Sequence, residues 1–397
     1  MLKASSFGEK KLRAFEKIGF FLGEKNVNKS IWIHAVSVGE VNVALKLIQD
    51  LEEILESPNF ILSTTTLTGA RKAKENHSKN LKHVYFPFDL KFICKKFISF
   101  YNPSILLLVE TEIWPNLINV SNEFKLPVVL VNGRLSDKSL KKYQRLSSFF
   151  KESFNKIDHA FVQSKNDLER FFEAGINRDA MSVSGSIKFD INLMALKNFT
   201  ENEVNYYKEK YLFVCGSTHP GEEEILIDSF IDLNKENKHL VLAPRHPERF
   251  GEIKELVNKK NLSNILYTEI SSNPNIKSDV TIVDVIGRLL DFYEIADCVF
   301  IGGTLVDHGG QNFLEPAFFN KPIISGRSTY NFDEISKKLS DLGLLKFVSN
   351  KDEISSVVEN IEAISDSLKK DINLWLNENR GASKFISKKV CKDFNLV

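Results

Sequence analysis

Short runs rich in Val, Ile, Leu and Phe alternate with longer helix-patterned stretches along nearly the whole chain, and few folds accommodate that rhythm. In the first half the apolar runs are residues 31–36, 60–63, 83–86, 105–109, 128–131 and 160–163. In the second half they are 212–215, 240–243, 265–267, 280–283, 298–301 and 322–324. Helical stretches such as 138–154, 222–234 and 247–259 separate them. Strand, helix and strand in succession make a parallel sheet covered by helices. Each half therefore predicts one doubly wound α/β domain, and 397 residues suffice for two full cores. The expected fold class is two Rossmann-like domains facing across a cleft, an architecture shared by nucleotide-sugar glycosyltransferases, sugar epimerases and periplasmic binding proteins.

The polar, helix-prone stretch after Gly185 lacks a strand pattern, which places a linker at 196–208. The predicted division is a segment 1–25, an N-terminal domain 26–195, and a C-terminal domain 209–397 that includes the final charged helices. A net charge of +1 gives no global attraction to nucleic acid. Cys94, Cys215, Cys298 and Cys391 are scattered without metal or disulfide spacing. No metal motif such as DxD or HExxH occurs, and no apolar run is long enough to span a bilayer. Residues 1–25 carry Lys3, Lys10, Lys11, Arg13, Lys17 and Lys25, with Leu12, Phe15, Ile18 and Leu22 at helical spacing. That pattern suits either an anionic membrane surface or a helix packed on its own domain.

Candidate chemistry collects at strand ends, where open α/β sheets bind ligands. Glu40 follows Gly39 between the strand 31–36 and a helix; a carboxylate there is either a helix cap or a functional group. Glu110 and Glu112 lie just past the strand 105–109, and an extended segment would turn both to one side. Thr64–Thr66 end another strand, and Lys188 precedes the linker, placed to meet an anion.

In the second half, Gly302-Gly303-Thr304 and Gly309-Gly310-Gln311-Asn312 bracket a helix start, a pattern that cradles phosphate. Glu315 stands three residues after Asn312, either as a capping partner or as a ligand for ribose hydroxyls. Gly216 and Ser217 end a strand in small residues that leave room for a ligand, and Arg245 suits a phosphate. His246 beside it reads as structural.

Taken together, IWIHAVSVGEVN, LSTTTLTGA, YFPFD, VETEIWPN, LVNGRLS, VQSKNDLERF, SGSIKFD, GSTHPGEEE, LAPRHPERF and GGTLVDHGGQNFLEPA resemble, in the same order, the 3-deoxy-D-manno-octulosonic acid (Kdo) transferases, from about residue 30 to 335. The resemblance implies a GT-B glycosyltransferase, metal-independent and inverting, moving Kdo from CMP-Kdo to the lipid A precursor in lipopolysaccharide biosynthesis. It implies Glu40 as catalytic base and Glu110 and Glu112 on the acceptor side. Lys188, Gly216, Ser217, Arg245, Gly310, Asn312 and Glu315 would hold the donor. No cofactor beyond the donor substrate is expected, and no nucleic acid. The implied location is the cytoplasmic face of the bacterial inner membrane, peripheral or through an anchor outside this chain. A UDP-sugar epimerase and a non-catalytic nucleotide-sugar binding protein are the alternatives.

The chain departs from the family pattern at Gln311, where histidine is common, and in the loop Val306-Asp307-His308. It departs also at Ser186, where asparagine is common, and at Gly326-Arg327-Ser328-Thr329, which replaces a Gly-Pro-His-Thr stretch.

Overall fold

The computed structural model describes residues 13–20, 29–74, 80–145, 147–190, 196–273 and 275–396. It divides into two compact units, Met1–Asp190 with Asn379–Val397, and Ile191–Glu378. The first contains strands β1 (Ser30–His34), β2 (Phe60–Thr64), β3 (Leu81–Tyr85), β4 (Pro103–Val109), β5 (Val128–Gly133), β6 (His159–Val162) and β7 (Met181–Val183). Its helices are α1 (Val38–Glu52), α2 (Leu67–Lys74), α3 (Lys91–Tyr101), α4 (Pro115–Glu123), α5 (Asp137–Arg145), α6 (Ser147–Phe154) and α7 (Lys165–Ala174). All strands run parallel in the order β3-β2-β1-β4-β5-β6-β7. The chain thus reverses its winding direction between β1 and β4, which opens a crevice at the strands' carboxyl ends.

The central strands are apolar throughout because both faces of the sheet are covered. One face packs Phe97, Leu117, Leu140, Phe154 and Phe171 from α3 to α7 around Trp32, whose ring stacks on Phe97 at 4.3 Å. The other face packs Val41, Leu47 and Ala73 from α1 and α2.

The second unit has β8 (Tyr211–Thr218), β9 (Lys238–Pro244), β10 (Asn264–Leu266), β11 (Val280–Ile282), β12 (Cys298–Ile301), β13 (Ile323–Ser325) and β14 (Leu345–Phe347). Its helices are α8 (Glu201–Tyr207), α9 (Glu222–Ile231), α10 (Phe250–Lys259), α11 (Tyr267–Ile270), α12 (Leu289–Ile295), α13 (Leu314–Phe318), α14 (Asp333–Leu342), α15 (Lys351–Glu359) and α16 (Asp366–Glu378). The parallel order is β10-β11-β9-β8-β12-β13-β14, with the reversal between β8 and β12. Each sheet gains one strand over expectation. β7 and β14 are three-residue edge strands, too short to show a pattern.

The predicted boundaries shift in two places. The proposed linker holds α8, closed by a capping box between Thr200 and Glu203 and anchored by the Tyr207 hydroxyl, which donates to Thr281 Oγ1 at 3.3 Å. It is part of the second unit. The last helix, α17 (Ala382–Asp393), returns to the first unit, where Ala382, Ile386, Val390 and Cys391 join the core beside α1. Asp190 accepts the N–H groups of Gly381 at 2.6 Å and Ser383 at 2.7 Å, which caps that helix.

Of the basic segment 1–25, residues 1–12 and 21–25 lie outside the described residues, Leu12 and Leu22 among them. Residues 13–17 are helical. The side that meets the unit is not the apolar one. Glu16 is buried and accepts the Tyr85 N–H at 2.6 Å, and Gly19 lies against Ile93. Phe15, Ile18 and Phe20 are exposed.

Candidate active site

The turn after β1 is organised by Ser37, the N-cap of α1, whose Oγ accepts the Glu40 N–H at 3.4 Å. Glu40 folds back over this turn. Its Oε2 accepts the Val36 N–H at 2.8 Å, and its Oε1 accepts the Ser37 hydroxyl at 2.8 Å. Thr66 braces the same turn by donating to the Val36 carbonyl at 2.9 Å. The capping bonds hold the carboxylate at the sheet's carboxyl edge. Glu40 is 8% exposed, and burial raises its pKa above the usual carboxylate value, with the charge of Glu110 adding to it. The Val36 and Ser37 bonds act the other way.

Across the winding reversal, β4 ends in Glu110-Thr111-Glu112. These residues form a turn, not the extended segment expected; Glu110 has φ +59°, a strained backbone region for a side chain bearing Cβ. The Thr111 hydroxyl donates to the Arg134 carbonyl and ties the turn to the end of β5. Glu110 Oε1 lies 3.3 Å from Lys188 Nζ. Lys188, grouped with the donor residues by the family resemblance, is in the first unit and paired there with Glu110.

Glu112 Oε2 accepts the Trp114 indole N–H at 3.0 Å and lies 3.9 Å from His34 Nε2. His34 is fully buried at the end of β1, stacked on Phe86 at 4.0 Å, with Nδ1 2.9 Å from Ser63 Oγ. Burial pushes its pKa down to about 3, so the ring is neutral. Burial first, then the charge of Glu40, pushes Glu112 up to about 7. Glu112 is thus the carboxylate that holds its proton near neutrality. Asn132, at the end of β5, accepts the Ile187 N–H at 2.9 Å, while its buried Nδ2 has no hydrogen-bond partner among the described residues.

The second unit builds its crevice from different chemistry. A Cβ on Gly216 would lie 1.9 Å from the Tyr293 hydroxyl, so this glycine makes room for Tyr293 and not for a ligand. Glu222, the first residue of α9, is fully buried. It accepts N–H groups from His219 at 2.9 Å, Gly303 at 2.7 Å, Thr304 at 3.0 Å and Leu305 at 3.0 Å. The amides of Gly303, Thr304 and Leu305 are thereby filled by the protein's own carboxylate, and the Gly302 N–H donates to the Gly216 carbonyl at 2.8 Å, so the first glycine pair does not offer the amides expected to cradle phosphate.

In the second glycine pair, Gly310 has φ +78° and donates to the Gly303 carbonyl at 2.9 Å. Asn312 Oδ1 accepts the Leu314 N–H at 3.1 Å, and its Nδ2 donates to Glu315 Oε1 at 3.0 Å. Ser217 has φ +56° beside this loop. The backbone N–H of Arg245 donates to the Thr218 carbonyl at 3.0 Å, and its guanidinium makes no ion pair among the described residues.

The His219 ring stacks on His308 at 4.4 Å, and its Nε2 lies 3.3 Å from the Gln311 side-chain nitrogen. Gln311 is therefore a neutral partner for an imidazole. Burial, then His308, His246, Arg245 and Arg249, push His219 down to about 4. The concentration of imidazole and guanidinium groups favours an anion. Among the described residues no group of three or more His, Cys, Asp or Glu side chains has metal-binding geometry.

Sequence reasoning missed His34, Asn132, His219 and Glu222. Each carried a faint signal: a polar residue closing an apolar strand, or, for Glu222, an acidic run directly after Gly221.

A family model described as 3-deoxy-D-manno-octulosonic-acid transferase (kdotransferase) matches residues 12–191. A bifunctional glycosyltransferase/methyltransferase of Fusobacterium nucleatum is 35% identical over 92% of this chain, which spans 57% of that relative's length. A 3-deoxy-D-manno-octulosonic acid transferase of Haemophilus influenzae is 33% identical over 93% of this chain and 88% of its own length. Among solved structures, a UDP-GlcNAc 2-epimerase from Neisseria meningitidis bound to UDP-GlcNAc superposes with a TM-score of 0.60 at 13% identity, over 91% of this chain and all (100%) of that one. That likeness concerns the fold alone.

Proposed function

The chain belongs to the 3-deoxy-D-manno-octulosonic acid transferase family, and from that premise we propose that it transfers Kdo from CMP-Kdo to a hydroxyl of the lipid A precursor, with inversion, without a metal and with Glu40 as general base. The acceptor oxygen bonds to the Kdo anomeric carbon as the bond from that carbon to the donor's phosphate oxygen breaks. Glu40 takes the acceptor proton, and CMP leaves with the electron pair. A single displacement of this kind inverts the anomeric centre.

One observation carries the reading. Glu40 is a buried, hydrogen-bonded carboxylate at the winding reversal, with a raised pKa and a neighbour, Glu112, that holds its proton near neutrality. A general base works best with a pKa near the working pH. The second unit supports the donor half of the proposal: Arg245 and the histidines around Gly310 suit the phosphate of a nucleotide sugar.

A lipid acceptor requires a membrane surface, and we place the protein at the cytoplasmic face of the inner membrane. Phe88, Leu90 and Phe92 are 52%, 47% and 68% exposed where β3 passes into α3. Phe15, Ile18 and Phe20 add to the same patch, with Lys17 Nζ 5.7 Å from the Phe88 ring centroid. Exposed aromatic groups beside cations suit a lipid–water interface. Among the described residues no helix is long and apolar enough to cross a membrane.

Kdo transfer from CMP-Kdo to a lipid A precursor, run with wild type and Glu40→Gln, tests the proposal. The variant is expected to lose about 10²- to 10⁴-fold in turnover and to keep its CMP affinity. Equal rates would remove Glu40 as the base. A wild type that binds UDP in place of CMP would remove the donor assignment.

A further inference from the structure

Helix α5 presents a row of cations that the chemistry above does not use. Lys138, Lys141, Lys142 and Arg145 stand at i, i+3, i+4 and i+7, so they form one continuous face about 10 Å long. All four are exposed, and none makes an ion pair among the described residues. The opposite side of the helix does the packing: Leu140 is buried, and Tyr143 meets Phe150 and Phe154. The one acid on the helix, Asp137, is taken by Arg170 at 2.6 Å. Cations stacked at i, i+3 and i+4 repel one another and weaken a helix. By contrast, the exposed Lys91 and Lys95 of α3 both bind Glu123.

The position of the row is as specific as its charge. α5 leaves the carboxyl end of β5, and the turn between them is tied to the Glu110–Glu112 turn through Thr111 and the Arg134 carbonyl. The exposed residues Phe88, Leu90 and Phe92 leave the carboxyl end of β3. α3 and α5 cover the same face of the sheet. In the order β3-β2-β1-β4-β5 the two features are separated by four strand spacings, roughly 19 Å. The β1 and β4 ends that carry Glu40 and Glu112 lie between them.

We propose that the Lys138–Lys141–Lys142–Arg145 face of α5 is an electrostatic docking surface for a bilayer rich in anionic phospholipid, working with the aromatic patch at the start of α3. Four cations spread over two helical turns, with no converging polar groups, match a charged surface better than a single bound phosphate. An apolar contact plus a basic contact is the pairing that makes a reversible interfacial attachment effective. The proposal rests on the membrane part of the reading above and adds the element that selects lipid charge.

Co-sedimentation of the full chain with vesicles tests it, with neither donor nor acceptor present. Wild type is expected to bind vesicles containing phosphatidylglycerol and to bind pure phosphatidylcholine vesicles far more weakly. The quadruple variant Lys138→Gln, Lys141→Gln, Lys142→Gln, Arg145→Gln is expected to lose about a hundredfold in affinity for the anionic vesicles at low salt. Replacing the three lysines by arginine should preserve binding. Unchanged binding by the glutamine variant overturns the proposal, as does wild-type binding that ignores lipid charge. A variant with normal vesicle binding but poor turnover on detergent-dispersed acceptor also overturns it, because the row would then read the acceptor's phosphates. A wild type that binds anionic vesicles and transfers no Kdo would sink the functional reading and leave this one standing.

Discussion

The crevices at the two winding reversals share a seven-stranded parallel plan and collect different side chains. The first collects Glu40, Glu110 and Glu112, with one lysine and one neutral histidine beside them. The second collects His219, His246, His308 and Arg245, and the buried carboxylates beside them are engaged, Glu222 by backbone amides and Glu223 by Arg249 at 2.8 Å. Topology decides where a doubly wound sheet opens for a ligand, and side chains decide what is done there. An acidic crevice with shifted pKa values accepts a proton. An arginine without an ion pair among the described residues, Arg245, near a glycine-bearing loop suits an anion.

The sharpest way to break this division of labour is Glu40→Gln, whose expected loss of turnover is given above. If the division holds, CMP titration of the same variant is unchanged; a parallel loss of CMP affinity would show that the two crevices do not act separately.

Glu222→Gln comes next. Replacing a fully buried acceptor with an amide turns a donor toward the N–H groups of His219 and the 303–305 loop. The expected cost is about 3 kcal/mol, read as a lower unfolding midpoint, with CMP affinity falling as the loop loosens. Wild-type stability would mean that those amides are open to a ligand's phosphate after all.

A smaller effect is expected at Glu112. Its folded pKa of about 7 lies above the ordinary value of 4.5, so the folded state holds the proton more tightly than the unfolded one. Stability from this group is therefore greatest below the ordinary value and declines as pH rises through about 7. Glu112→Gln should flatten that decline and raise stability at pH 8 by on the order of 1 kcal/mol, after discounting for partial exposure. Its pH–rate profile should keep its acid limb, because Glu112 is already neutral where Glu40 gains its proton, and a limb moved to lower pH would show that Glu112 carries charge there.

The smallest effect is assigned to Lys188→Ala. A partly exposed pair with Glu110 contributes less than about 1 kcal/mol. CMP affinity should be unchanged, since Lys188 lies in the acidic unit; a marked rise in the CMP dissociation constant would return it to the donor.

Much of this was legible before any coordinates. Continuous apolar runs such as the one in β4 can only be doubly covered strands, and helices between them force parallel pairing. Glycine and polar residues just past such runs marked both crevices; the place of Glu40 between a strand and a helix left it open between a cap and a functional group, and only the family resemblance implied a base. The edge strands β7 and β14 were not legible, because three residues carry no period. Nor was the destination of α17. An amphipathic stripe states that a helix must be covered, not by what, and here the cover is α1, more than three hundred positions away in the chain.

The site divides in the same way. Residue types and their positions at strand ends are local facts, and the sequence alone determined them. The pKa of Glu112, the neutrality of His34, the pairing of Lys188 and the filling of the 303–305 amides by Glu222 depend on neighbours brought together by strand order and burial. Those interactions join residues distant in sequence and act in an interior from which water is excluded. Only the tertiary structure decides them.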